Sequence, residues 1–248
     1  MINRRKILKN SILFPFLGIN IPSYFLNAPI NANSFQKPIL KTIAKTKENI
    51  ASIGMGTWLT FDVGHNTKAI AIRKEVLEKF FTLGGQLIDS SPMYGTSERV
   101  IGKCLKQIKD SDKLFSATKI WTPNAWHGKK QLKNSINLWN IKNFDLLQVH
   151  NLVNYKEHLE YLFELKNKGK LKYVGVTTSH GWRHEKTKHI MENYDIDFVQ
   201  FTYNILDREA ENILLNLAYE KNISVIANRP YQGGNLFNLI KAEKLPKW

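Results

Sequence analysis

Cysteine is nearly absent: the 248 residues contain one, Cys104. A single thiol excludes an internal disulfide framework and any zinc or iron–sulfur site built on clustered thiolates. Long apolar runs are missing as well. After the first thirty residues none approaches the roughly 18–20 that a helix needs to cross a bilayer, which argues against stable membrane insertion of that part. Acidic residues are scarce, 21 against 36 Lys and Arg, for a formal charge of +15. Four of these charges, Arg4, Arg5, Lys6 and Lys9, precede residue 33 in a stretch without acid, leaving +11 on the remainder. Most of that remainder is scattered lysine. Lys166, Lys168, Lys170 and Lys172 alternate with small or apolar residues around a helix end, where cations complement the dipole. No stacked-aromatic platform or helix-turn-helix spacing accompanies the charge, so nucleic acid is not an expected partner.

What is present begins with an address. Residues 1–32 have a positive start, Asn3 to Lys9, then a moderately apolar stretch from Ile12 to Leu26, then small residues near Ala28 and Ala32. This is the layout of a targeting segment, not of a folded element. The adjacent arginines resemble the twin-arginine export signal, and Pro15, Gly18, Asn20 and Pro22 interrupt the apolar stretch. The resemblance implies recognition by the twin-arginine machinery, folding in the cytoplasm and a periplasmic or otherwise exported destination, with cleavage after Ala32. Residues 33–49 then read as a linker.

From Ile50 onward, short β-branched or aromatic runs alternate with segments of helical period, the pattern of βα units around a parallel sheet. The expected strands are 52–56, 86–89, 114–118, 145–150, 173–177, 198–202 and 224–228. Amphipathic segments such as 69–83, 97–108, 130–140, 155–168 and 209–221 lie between them. A closed (β/α)8 barrel has eight strands, and this pattern holds seven. The alternative, an open doubly wound sheet, announces its nucleotide site with G-x-G-x-x-G after the first strand. Here Gly54-Met55-Gly56 runs into Thr57-Trp58 with no third glycine. The expectation is therefore an α/β barrel of the TIM type over residues 50–248, lacking its last βα unit.

In such a barrel, side chains at the carboxyl ends of different strands converge on one face. Four polar residues hold such positions: Asp89 after the second strand, Tyr94 in the following loop, Lys119 after the third, and His150 closing the fourth. Each alone has an ordinary explanation, as a helix cap, a packed loop aromatic, a surface charge or a structural histidine. As a set they match a family. The stretch Gly84–Glu98, the segment Ala117-Thr118-Lys119 and the run Leu147-Gln148-Val149-His150 resemble the aldo-keto reductases in order, spacing and strand placement. Similarity continues through Lys170–Val176, Gln200–Asn204 and Asn228-Arg229-Pro230.

This resemblance implies that Tyr94 donates a proton to a substrate carbonyl while NADPH delivers hydride to its carbon, with no metal. Tyrosine has a reference pKa near 10, so the anion left behind needs stabilising. An ammonium about 4 Å away contributes roughly 4 kcal/mol at an effective dielectric near 20, or roughly three pKa units. Burial and pairing of Lys119 with Asp89 give back part of that. His150 is positioned to hydrogen-bond the carbonyl oxygen. The same carry-over puts Thr57, Trp58, Thr177, Thr178 and Gln200 beside the cofactor. Thr177-Thr178 replaces the Ser-Asn of many members, and Asn228 stands where many have a stacking tyrosine. Arg229 and the backbone of Gly233-Gly234 are then candidates for the pyrophosphate. A catalytically silent truncated homologue, or a binding module that keeps the face without turnover, is the alternative.

Overall fold

The computed structural model describes residues 37–109, 111–179 and 183–241. The expected targeting segment lies outside the described residues, as do positions 33–36 of the expected linker. From residue 37 that linker is folded: β1 (Leu40–Thr42) and β2 (Asn49–Ala51) form an antiparallel hairpin. The alternation was missed because the strands are only three residues each. Ile43 and Ile50 pack on Leu87, Phe115, Leu146, Tyr173 and Phe198, the inward residues at the amino ends of five strands. Tertiary contacts therefore make this segment a plug for the barrel floor. Tyr173 donates its hydroxyl hydrogen to Glu48 at 2.7 Å, and Ser224 accepts the Ala44 N–H at 2.9 Å.

Seven parallel strands follow in chain order: β3 (Met55–Gly56), β4 (Leu87–Asp89), β5 (Phe115–Ile120), β6 (Leu146–His150), β7 (Tyr173–Thr177), β8 (Phe198–Thr202) and β9 (Ser224–Asn228). The helices α1 (Thr67–Thr82), α2 (Ser97–Leu105), α3 (Ala125–Trp139), α4 (Tyr155–Asn167), α5 (His184–Asn193) and α6 (Leu214–Glu220) each return the chain to the next strand, and a short α7 (Asn235–Leu239) follows β9. Asn66 and Asn124 cap α1 and α3 by accepting the N–H of Ala69 and His127. Outward strand residues such as Ile88, Val149, Val176 and Phe201 form one core with the helices, and the inward set forms a second.

The sheet is curled. Strands spaced about 4.8 Å apart would hold β4 and β8 roughly 19 Å apart if flat. Yet Gln200 of β8 donates to Asp89 of β4 at 3.4 Å. Gly175 makes room for this interior, since a Cβ there would lie 2.7 Å from the Phe198 carbonyl oxygen and 3.3 Å from Gln148 Cγ. β3 and β9 do not pair with each other, and the outward Val225 and Ala227 of β9 are exposed. The ends of these two strands still approach: the Arg229 guanidinium carbon is 5.9 Å from the Trp58 ring centroid. The architecture is thus a TIM-type α/β sheet of seven strands, nearly closed.

Candidate active site

Inward positions turn from apolar to polar toward the carboxyl ends of the strands. Asp89 ends β4, Lys119 lies in β5, Gln148 and His150 in β6, and Gln200 in β8. Lys119 is not past its strand, as the sequence pattern had it. β5 continues to Ile120, and Lys119 pairs in register with Gln148. The result is a fully buried ammonium, 2.6 Å from Asp89 Oδ2 and 2.7 Å from the Ser90 carbonyl oxygen. Gln148 donates to Asp89 Oδ1 at 3.2 Å. Asp89 is in turn fixed through its backbone, whose carbonyl accepts the N–H and the hydroxyl of Thr57.

Tyr94 reaches this pair from the loop after β4. Its N–H bonds the Ser91 carbonyl, and Gly95 follows in the left-handed region, where a Cβ would collide with the Asp62 carboxylate. Glu98 anchors the loop's far end. Its buried carboxylate accepts from Thr118 at 2.7 Å, Ser135 at 2.8 Å and Trp139 at 3.2 Å, tying α2 to β5 and α3. The Lys119 ammonium lies 5.1 Å from the Tyr94 ring centroid, and the Tyr94 and His150 rings meet edge to face at 5.9 Å. The four expected residues therefore do converge.

Electrostatics modify the expectation for Tyr94. Burial pushes its phenol above the ordinary value; Lys119 pulls it down, and Asp89 adds to the rise. The net direction is up, because half-burial outweighs an ammonium already paired with a carboxylate. His150 is pushed down to about 3 by burial, then by Lys119 and Arg183, and its Nδ1 is 3.0 Å from the Ser91 hydroxyl. The imidazole is neutral at neutral pH. Between about pH 3 and 6.5 the unfolded chain binds a proton here that the folded one does not, so stability falls as pH falls through that window. Replacing His150 with Asn should flatten this slope, by at most about 1.4 kcal/mol per pH unit, as checked by urea unfolding at a series of pH values.

The remaining expected residues divide. Thr178 and Gln200 adjoin, with the Thr178 N–H on the Gln200 carbonyl at 2.8 Å, and both Thr178 Oγ1 and Gln200 Oε1 are buried without a partner. Thr177 is buried beside them and accepts the Asn151 N–H. Thr57, by contrast, spends its hydroxyl on Asp89. Trp58 is half exposed and engages Arg229, which is held through its carbonyl by Asn204. Gly233 and Gly234 have positive φ and open space around them, but the Gly234 N–H closes a turn onto Tyr231. Sequence reasoning assigned no role to Ser91, Gln148, Glu98 or Asn228. Asn228 accepts from Thr202 and donates to the Thr178 carbonyl, joining the ends of β7, β8 and β9. Gln148 alone carried a readable signal, two residues before His150 on the same strand face.

A barrel with its polar side chains gathered at the carboxyl ends of the strands is a common enzyme architecture, and a family profile narrows the class. Residues 52–246 match the aldo/keto reductase family, to which the chain belongs. Among curated proteins it is similar to the aldo-keto reductase YhdN of Bacillus subtilis (strain 168), 28% identical over 202 residues, or 75% of this chain and 60% of that protein. In fold it is similar to the holo form of the aldo-keto reductase AKR11C1 from Bacillus halodurans, at 24% identity and a TM-score of 0.67 over 84% of this chain and 70% of that one. An aldo-keto reductase from Klebsiella pneumoniae in complex with NADPH gives 19% identity and a TM-score of 0.65, over 82% and 76% of the two chains.

Proposed function

We propose that this protein reduces an aldehyde or ketone with NAD(P)H, Tyr94 serving as the general acid. The observation that carries the reading is that Asp89, Tyr94, Lys119 and His150 meet at the carboxyl ends of the strands. Asp89, steadied by two glutamine amides, holds the Lys119 ammonium beside the phenol. The ammonium stabilises the phenolate left when Tyr94 gives its proton to the carbonyl oxygen. In the tautomer whose Nδ1 accepts from the Ser91 hydroxyl, neutral His150 has a hydrogen on Nε2 to donate to the same oxygen. The buried, unpartnered oxygens of Thr178 and Gln200 suit a carboxamide, which offers two donors and an acceptor. A nicotinamide cofactor bound there supplies the hydride that completes the alcohol.

The second reading, binding without turnover, is favoured by the exposed outer side of β9. Fluorescence titration with NADPH and absorbance assays of NADPH oxidation on a panel of aldehydes and ketones separate the two. Saturable binding with carbonyl-dependent oxidation supports a reductase; binding alone supports the module; no binding removes both.

The proposal includes an address. Arg4 and Arg5 support export of the folded protein by the twin-arginine route. A reporter fused to residues 1–32 should reach the periplasm, and changing both arginines to lysine should hold it in the cytoplasm. Unchanged export of the double variant would refute the route.

A further inference from the structure

A groove of about 590 Å³ opens between α3 and the loops that follow β5 and β6. Its lining includes Trp121, Pro123, His127, Lys130, Gln131 and Val153. Trp121 is two residues past Lys119, and Val153 is three past His150, so both loops leave strands that carry candidate site residues. It is built rather than incidental. The Gln131 side chain accepts the Trp121 N–H at 2.9 Å and donates to the Trp121 carbonyl at 2.8 Å, pinning that residue's backbone on both sides. Below the loop, the His158 ring nitrogen Nε2 lies 2.7 Å from the Thr122 carbonyl oxygen, and Asn154 donates to the Pro123 carbonyl at 3.0 Å. The Trp121 side chain nevertheless stays 42% exposed, an apolar surface that this protein leaves uncovered.

Charge gives the groove a sign. No Asp or Glu occurs from Trp121 to Phe144, while Lys129, Lys130, Lys133 and Lys142 do. The first turn of α3, which holds His127, is the positive end of the helix dipole, and Lys130 follows in the second turn. Glu157 accepts from Asn154, whose amide also holds the Pro123 carbonyl. A flat apolar body fits the tryptophan and proline surface, and an anion fits the rim.

We infer that this groove holds the far end of the substrate, and that the preferred carbonyl compounds carry a carboxylate on a flat, largely apolar frame. The inference rests on the reductase reading for the word substrate, and on the groove alone for binding. The test uses the full chain. Calorimetry compares 4-(hydroxymethyl)benzoate, which contains no reducible carbonyl, with neutral 4-methylbenzyl alcohol. The wild type should bind the carboxylate roughly fivefold more tightly at low salt, the upper end for one solvent-screened charge pair, and the preference should shrink as salt rises. Lys130→Glu should abolish the preference, and Trp121→Ala should weaken both ligands. In turnover, Lys130→Glu should raise KM for 4-carboxybenzaldehyde with kcat kept, and leave 4-methylbenzaldehyde unchanged. Equal binding of the two alcohols by wild type, or an undiminished preference in Lys130→Glu, overturns the inference. Carboxylate-selective binding that depends on Lys130, without oxidation of NADPH by either aldehyde, supports the groove and counts against the reductase reading alone.

Discussion

Tyr94→Phe is expected to lower kcat for carbonyl-dependent NADPH oxidation by roughly 10²–10⁴-fold, with nucleotide affinity unchanged. The substitution removes one oxygen and the proton it carries. Removing it leaves Lys119 on Asp89 and on the Ser90 carbonyl, Asp89 on Gln148, and His150 on Ser91. A residual rate from positioning and from the His150 hydrogen bond is expected to survive. The pH profile adds a check. Burial holds the phenol above its ordinary range, so the wild-type rate of reduction should stay level until pH rises past about 10, then fall as the acid form is lost. Wild-type turnover retained in Tyr94→Phe would remove this residue from the chemistry.

Asp89→Ala should destabilise the fold by about 3–5 kcal/mol, read as a lower urea midpoint with unchanged m. The reason is the ammonium it abandons. Lys119 is fully buried, and without Asp89 the partners it keeps, the Ser90 carbonyl and the Tyr94 phenol, are neutral. The reverse change, Lys119→Met, is expected to cost less. The carboxylate of Asp89 keeps amide donors from Gln148 and Gln200, whereas an ammonium stripped of its counter-ion has only neutral oxygens. Combining Asp89→Leu with Lys119→Met removes both charges together, and should recover most of the stability while abolishing turnover. If the single and double changes cost the same, the pair does not hold the barrel interior as described.

These effects depend on features of unequal legibility. The seven strands of the barrel were readable as short β-branched or aromatic runs separated by segments of helical period, although the first was expected over 52–56 and is only Met55–Gly56. Ile88, Val149, Val176 and Phe201 of these runs face the helices. Lys119 was placed one step too late because a charged residue usually ends a strand, and only the partner carboxylate makes a buried ammonium tolerable. The hairpin of β1 and β2 was invisible for a related reason. Its strands carry Leu40, Lys41, Thr42 and Asn49, which bury little, and Ile43 becomes core only when five other strands present their first residues to it.

Asp89, Tyr94, Lys119 and His150 were legible as a set through the resemblance of their flanking motifs and order to the aldo-keto reductases, each alone having an ordinary explanation. What they do to one another was not. Burial decides that the Tyr94 phenol moves up and that the His150 imidazole stays neutral, and burial is a property of the closed wall around them. Likewise Gln148 and Gln200, 52 residues apart in sequence, become partners of one carboxylate only once the sheet curls. Sequence determines which groups a strand can offer; the curvature of the sheet, a sum of many small twists, determines which of them meet.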